Sequence, residues 1–101
     1  MNTKEFKAIL KTNAFVLADF YADWCEPCKI LDDILEEVKA DLREKIFIQK
    51  IDVDKSTGFS EFYHVKSVPV LILFKNGKQV WRMNGFLTSN DLIKVFKKFS
   101  G

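Results

Sequence analysis

Two cysteines, Cys25 and Cys28, stand three residues apart in the segment Trp24-Cys25-Glu26-Pro27-Cys28-Lys29. The segment follows an apolar run, Phe15 to Tyr21, and opens a stretch with helical periodicity. Cysteines at this spacing at a helix start lie on one side of it, within reach of a disulfide. Cys25 would sit where unpaired backbone N–H groups and the helix dipole favour negative charge. That placement favours the thiolate, which is the reactive form of the side chain. Pro27 is tolerated in a first helical turn, where its missing N–H costs little, and it stiffens the loop. The pattern points to thiol–disulfide exchange. Cys25 would attack a substrate disulfide, and Cys28, expected to lie deeper, would then attack Cys25 and release reduced substrate.

Cys28 must lose a proton for that second step. Asp19 interrupts the apolar run before the cysteines and is the candidate base, because burial raises a carboxyl pKa toward neutrality. The competing reading makes Asp19 a structural carboxylate paired to a lysine such as Lys50, and the two roles are compatible. For the cysteines the competing reading is half of a zinc site. Tetrahedral zinc takes four ligands, whereas this chain offers two cysteines and the distant His64, so no metal is expected. His64 reads as a surface or helix-end histidine.

The elements that must position these groups follow from pattern. Asn2 and Glu5 form a capping-box signature ahead of Phe6, Ile9 and Leu10, which predicts a short amphipathic helix. Phe15 to Tyr21 predicts a strand buried on both faces. A second helix is expected from near Cys25 to about Leu42, with Ile30, Leu31, Ile34, Leu35 and Val38 at helical spacing. Ile46 to Asp52 reads as a strand, so the region forms a βαβ unit with a right-handed crossover. Phe59, Phe62 and Tyr63 mark a short helix. Val70 to Phe74 and Gln79 to Met83 read as strands joined at Asn76-Gly77, a hairpin signal. A last helix starts near Thr88 or Ser89. The order αβαβαββα predicts an α/β fold, with one mixed sheet and helices on both faces.

Composition narrows the function classes. The chain has 101 residues, 48% hydrophobic, enough for a single domain over residues 1–101 with its own core. Sixteen basic and 14 acidic side chains are interspersed, for a net charge of +2, so no basic stripe marks a nucleic-acid partner. No apolar run approaches the ~20 residues of a membrane span. The polar start, Met1-Asn2-Thr3-Lys4-Glu5, does not read as a signal peptide. A cytoplasmic placement is expected. Thiols are kept reduced there, so a close cysteine pair suggests redox catalysis or metal binding rather than a structural staple.

Taken together, the residues resemble the thioredoxin family over nearly the whole chain. The resemblance is carried by Ala18-Asp19-Phe20-Tyr21-Ala22, Trp24 to Lys29, Ile51-Asp52-Val53-Asp54, Val68-Pro69, Phe74-Lys75-Asn76-Gly77-Lys78 and Gly85. It implies that Cys25 is the nucleophile, Cys28 the resolving cysteine and Asp19 the buried acid–base group, with Lys50 as its charged neighbour. It also implies that Pro69 is a cis proline facing the cysteines. The backbone of Val68 would then pair with an extended substrate strand. Trp24, Val68, Pro69, Gly85 and Phe86 would form an apolar docking surface, bordered by Glu26 and Pro27. Ordinary packing is the alternative for Trp24 and Phe86.

Four departures from the family pattern stand out. Glu26 replaces the usual glycine after the first cysteine; it is expected to be exposed and to alter the docking surface. Tyr21 replaces the usual first tryptophan. Asp33 replaces a kinking proline, so the second helix should run straighter. The usual N-terminal strand is absent, which leaves about four strands and puts Ile46 to Asp52 at a sheet edge. A monomer is expected, with pairing through that edge as the alternative.

The leading expectation is a reductase for protein disulfides, recharged by a thioredoxin-reductase-like partner, with no bound cofactor. Glu26-Pro27 lacks the cationic or polar residue that would strongly stabilise a thiolate and make the pair a strong oxidant. A disulfide oxidase or isomerase of an exported compartment, and a non-catalytic interaction module of the same fold, are the alternatives.

Overall fold

Helix α1 (Thr3–Thr12) begins as the capping box predicts: the Asn2 side chain accepts from the Glu5 backbone N–H, and Glu5 accepts from that of Asn2. The computed structural model describes residues 1–101. Strand β1 (Phe15–Tyr21) follows, then helix α2 (Glu26–Leu42) and a single 3-10 turn. Strand β2 (Phe47–Asp52), helix α3 (Thr57–Phe62), strands β3 (Val70–Lys75) and β4 (Lys78–Asn84), and helix α4 (Ser89–Ser100) complete the order. The expected succession αβαβαββα is the observed one. No helix is long and apolar enough to cross a membrane.

The four strands form one sheet in the order β2-β1-β3-β4. β1 runs parallel to β2 and antiparallel to β3, and β3 is antiparallel to β4. β2 therefore lies at an edge, as read from the sequence. Asn76 and Gly77 make the β3–β4 turn with positive φ at both positions, 50° and 84°, the two-residue geometry that suits right-twisted strands.

Because strand side chains alternate, each face of β1 serves a different layer. Val16, Ala18 and Phe20 join Ile51, Val70, Ile72 and Phe74 under α1 and α3. This layer is aromatic: Phe6 meets Phe59, Tyr63 and Phe74 edge-on, with ring centroids 5.1 to 5.9 Å apart. On the opposite face Leu17, Leu71 and Leu73 pack against Leu31, Leu35, Val38 and Leu42 of α2 and Leu92 and Phe96 of α4. Asp19 shares the alternation of Leu17, so it belongs to the α2 side of the sheet.

The buried stripe of α2 is Cys28, Leu31, Leu35, Val38 and Leu42, a three–four repeat along one face. The helix runs unbroken through Asp33. Ile30 departs from the expected core set and is 54% exposed. It stands about 100° around the helix from Leu31, which turns it off the stripe. Phe62 likewise lies at the surface, although its neighbours Phe59 and Tyr63 enter the aromatic layer.

Candidate active site

β1 ends at Tyr21, and the buried Ala22 just beyond it leads to the start of α2, so strand and helix meet at the cysteines. Cys25 is the N-cap of α2 with extended backbone. Cys25 and Cys28 are joined in a disulfide, with Cα atoms 5.3 Å apart. The Cys28 backbone N–H donates to Cys25 Sγ at 3.2 Å. The sulfur thus occupies the position that a side-chain oxygen fills at most helix starts, facing otherwise unpaired N–H groups. Pro27 falls in the first turn, as expected.

Cys28 is not measurably deeper than Cys25. Their exposures are 3% and 4%. What separates them is position: Cys25 caps the helix, whereas Cys28 is on the buried stripe facing the sheet. Both pack in a small cluster with Ala22, bordered by Tyr21, Val53 and Val68.

Asp19 is fully buried, and neither of its carboxyl oxygens has a hydrogen-bond partner. Burial pushes its pKa up to about 7; the Lys50 ammonium opposes that rise and the Asp32 carboxylate adds to it. Lys50 is directly across from Asp19 in the β1–β2 register. Its ammonium, however, bonds Asp32 Oδ1 at 2.7 Å and lies 4.4 Å from the centre of the Tyr21 ring. The expected neighbour is therefore present, but it acts on Asp19 through space rather than by a direct bond. Partial burial disfavours the Lys50 charge, yet the bond to Asp32 and the negative groups around it prevail and raise its pKa. Sequence reading overlooked Asp32, because Asp32 and Lys50 are 18 residues apart and only the crossover brings them together.

Glu26 is exposed and paired with Lys29 at 3.1 Å, so its charge is offset by the lysine and screened by water. Trp24 is 69% exposed, which excludes ordinary core packing. Its indole N–H donates to Asp54 Oδ2 at 2.9 Å, and Asp54 is itself held by a bond from its backbone N–H to the Asp52 side chain. The Val68–Pro69 peptide is cis. Pro69 is buried and its carbonyl accepts from the Gly85 N–H at 2.8 Å. Gly85 has φ of +112°, a conformation that side-chain-bearing residues rarely adopt. Phe86 is half-buried against the α2–α4 layer.

Beside the disulfide lies an open cleft of ≈ 240 Å³ whose apolar walls are Trp24, Val53, Val65 and Val68. Sequence reading gave Val53 only as part of the Ile51–Asp54 family match, with no place at the site, and did not single out Val65. An alternating Ile-Asp-Val-Asp pattern near a strand end gives no sign that its valine will border a redox pair. Trp24 and Val68 of the expected docking surface line this cleft, whereas Pro69, Gly85 and Phe86 do not.

The thioredoxin family model matches residues 1–98. A thioredoxin of Mycoplasmoides gallisepticum is 42% identical over 96 residues, covering 95% of each chain. A thioredoxin of Chlamydia trachomatis is 45% identical over 86 residues, 85% of this chain and 83% of that one. The fold matches a mutant thioredoxin from Halobacterium salinarum with a TM-score of 0.90 and 33% identity, over 100% of this chain and 88% of that one. The chain belongs to the thioredoxin family and is a thiol–disulfide oxidoreductase with a CxxC pair.

Proposed function

We propose that this thioredoxin-family chain is a single-domain reductant of protein disulfides, with Cys25 as nucleophile and Cys28 as resolving cysteine. The observation that carries the order of attack is the Cys28 N–H on Cys25 Sγ at the start of α2. A sulfur that accepts a helix-terminal N–H and faces the positive end of the dipole is stabilised as thiolate. Reduced Cys25 attacks one sulfur of a substrate disulfide, and the second substrate sulfur leaves as a thiolate that takes up a proton. Cys28 then passes its proton to Asp19 and attacks Cys25. The mixed disulfide breaks, the substrate sulfur that Cys25 had attacked leaves as a thiolate and takes up a proton, and the Cys25–Cys28 disulfide remains.

Asp19 suits the proton transfer because it titrates near neutrality and lies on the face of β1 that the Cys28 stripe covers. Lys50 tunes that carboxyl at a distance. Substrate docks over the cleft beside Trp24 and Val68, against the Pro69–Gly85 loop pair, with Phe86 supporting the loop from the core side. Glu26 and Pro27 border the approach. No bound cofactor takes part; a thioredoxin-reductase-like partner returns two electrons to the disulfide, so the chain carries electrons between proteins. A cytoplasmic monomer is the setting this chemistry fits, since a reducing pool keeps the pair recharged.

Trapping tests the assignment. Cys28→Ser should accumulate mixed disulfides with an oxidised protein substrate such as insulin, and Cys25→Ser should accumulate none. Equal trapping by both variants would remove the assigned order. A reduction potential near ~−270 mV supports a reductant, whereas one near ~−120 mV would reverse the direction of electron flow.

A further inference from the structure

Asp19 is the only charged residue among the buried side chains. A lysine directly opposite such a carboxylate ordinarily closes onto it, because an unpaired buried charge is strongly disfavoured. Lys50 occupies that opposite position yet bonds Asp32 and not Asp19. Its ammonium is held from two sides, by Asp32 Oδ1 and by the face of the Tyr21 ring. Lys50 and Asp32 are each nearly half exposed, so the ion pair stands at the solvent boundary while Asp19 stays beneath it without a partner. Asp32 is four residues after Cys28 on α2, one turn along from the resolving cysteine.

We propose that Asp32 is a positioning residue that holds the Lys50 ammonium at the surface, away from Asp19, and so leaves the buried carboxyl free to take a proton. The inference rests on reading Asp19 as the proton acceptor for Cys28. The groups around Asp19 come from several elements. β2 supplies Lys50, α2 supplies Asp32 and, one turn earlier, Cys28, and β1 itself supplies Tyr21. β3 puts Leu71 opposite Asp19, and α4 meets the layer with Leu92 and Phe96, which carry no charge. The Asp32 side chain therefore acts twice in one direction. Its own charge disfavours a second carboxylate nearby, and its bond removes the cation that would favour one.

Titration of the Asp19 carboxyl by carbon NMR tests this in the oxidised protein, where neither cysteine titrates. Asp32→Ala should lower the Asp19 midpoint by about one pH unit, because a lysine released onto a carboxylate favours its charged form. Asp32→Glu should restore most of the shift. Lys50→Met should raise the midpoint, and by more in the Asp32→Ala background than in the wild type, since only there does Lys50 reach Asp19. An unmoved midpoint in Asp32→Ala would overturn the inference. So would an equal Lys50→Met shift in both backgrounds, which would make Asp32 a distant charge and nothing more. The pH profile of mixed-disulfide resolution, followed in the same variants, should move with the NMR midpoint. If the midpoint moves and the profile stays, Asp32 holds Lys50 as proposed and Asp19 is not the proton acceptor.

Discussion

Replacing Asp19 with asparagine removes the one charge buried in the core while nearly preserving shape, and its effect on stability depends on pH. The folded-state pKa of Asp19 is about 7, against an ordinary value of 3.8. Between those values the native protein holds a proton that the unfolded chain has released. Stability therefore falls as pH rises through this window, since the folded state binds more protons than the unfolded one. Below about pH 4 both states are protonated and the penalty vanishes; above about pH 7 it is fully present. A gap of roughly three pH units corresponds to about 4 kcal/mol at 1.36 kcal/mol per unit. Asparagine cannot ionise, so the variant escapes this loss. Its buried amide and the neutral carboxyl are both unpaired, and each is disfavoured by about 1–3 kcal/mol, so those contributions largely offset each other. The variant should match the wild type near pH 4 and exceed it by about 2–4 kcal/mol at pH 8.5. In a chain of this length that raises Tm by at least about 8 °C. Urea unfolding of the oxidised proteins across pH 4 to 8.5 measures the difference directly. A difference that stays constant over that range would mean that Asp19 is not held neutral by burial, and the argument would fail. The same substitution should slow resolution at neutral pH with the fold intact.

Phe6→Ala should destabilise by about 3–5 kcal/mol, because Phe6 is fully buried and meets three aromatic rings of the α1–α3 layer; chemical denaturation reads this. Asp54→Ala should release the Trp24 indole, raise KM for a protein substrate several-fold and leave stability within about 1 kcal/mol, since the bond is exposed. An unchanged KM would detach Trp24 from docking. Glu26→Lys should raise the reduction potential by about 10–20 mV through better stabilisation of the Cys25 thiolate, an effect kept small by exposure and measurable against a glutathione buffer.

Much of the molecule was legible because its signals are local. The Asn2–Glu5 and Thr88 caps, the Asn76-Gly77 turn and the cysteine pair ahead of a helical repeat each depend on residues within four positions of one another. Backbone sterics and hydrogen bonding determine such features wherever the chain is placed. The apolar run from Phe15 to Tyr21 likewise put Asp19 on a strand buried on both faces.

What the tertiary structure decided is everything that depends on which distant surfaces meet. Periodicity alone admitted Ile30 to the core, but the sheet covers only the stripe from Cys28 to Leu42, and Ile30 is left in water. Pairing Asp19 with Lys50 is a sound inference from charge, and the register does set them opposite. Yet the crossover also brings Asp32 to the same edge, and a cation at the solvent boundary binds the half-exposed carboxylate at less desolvation than the buried one. Trp24 found Asp54 across 30 residues for the same reason. Residue type and local spacing were enough for the sequence to specify the elements and the reactive sulfurs. The three-dimensional packing alone chose which charge faces which, because Coulomb energy and desolvation depend on distances that no local pattern encodes.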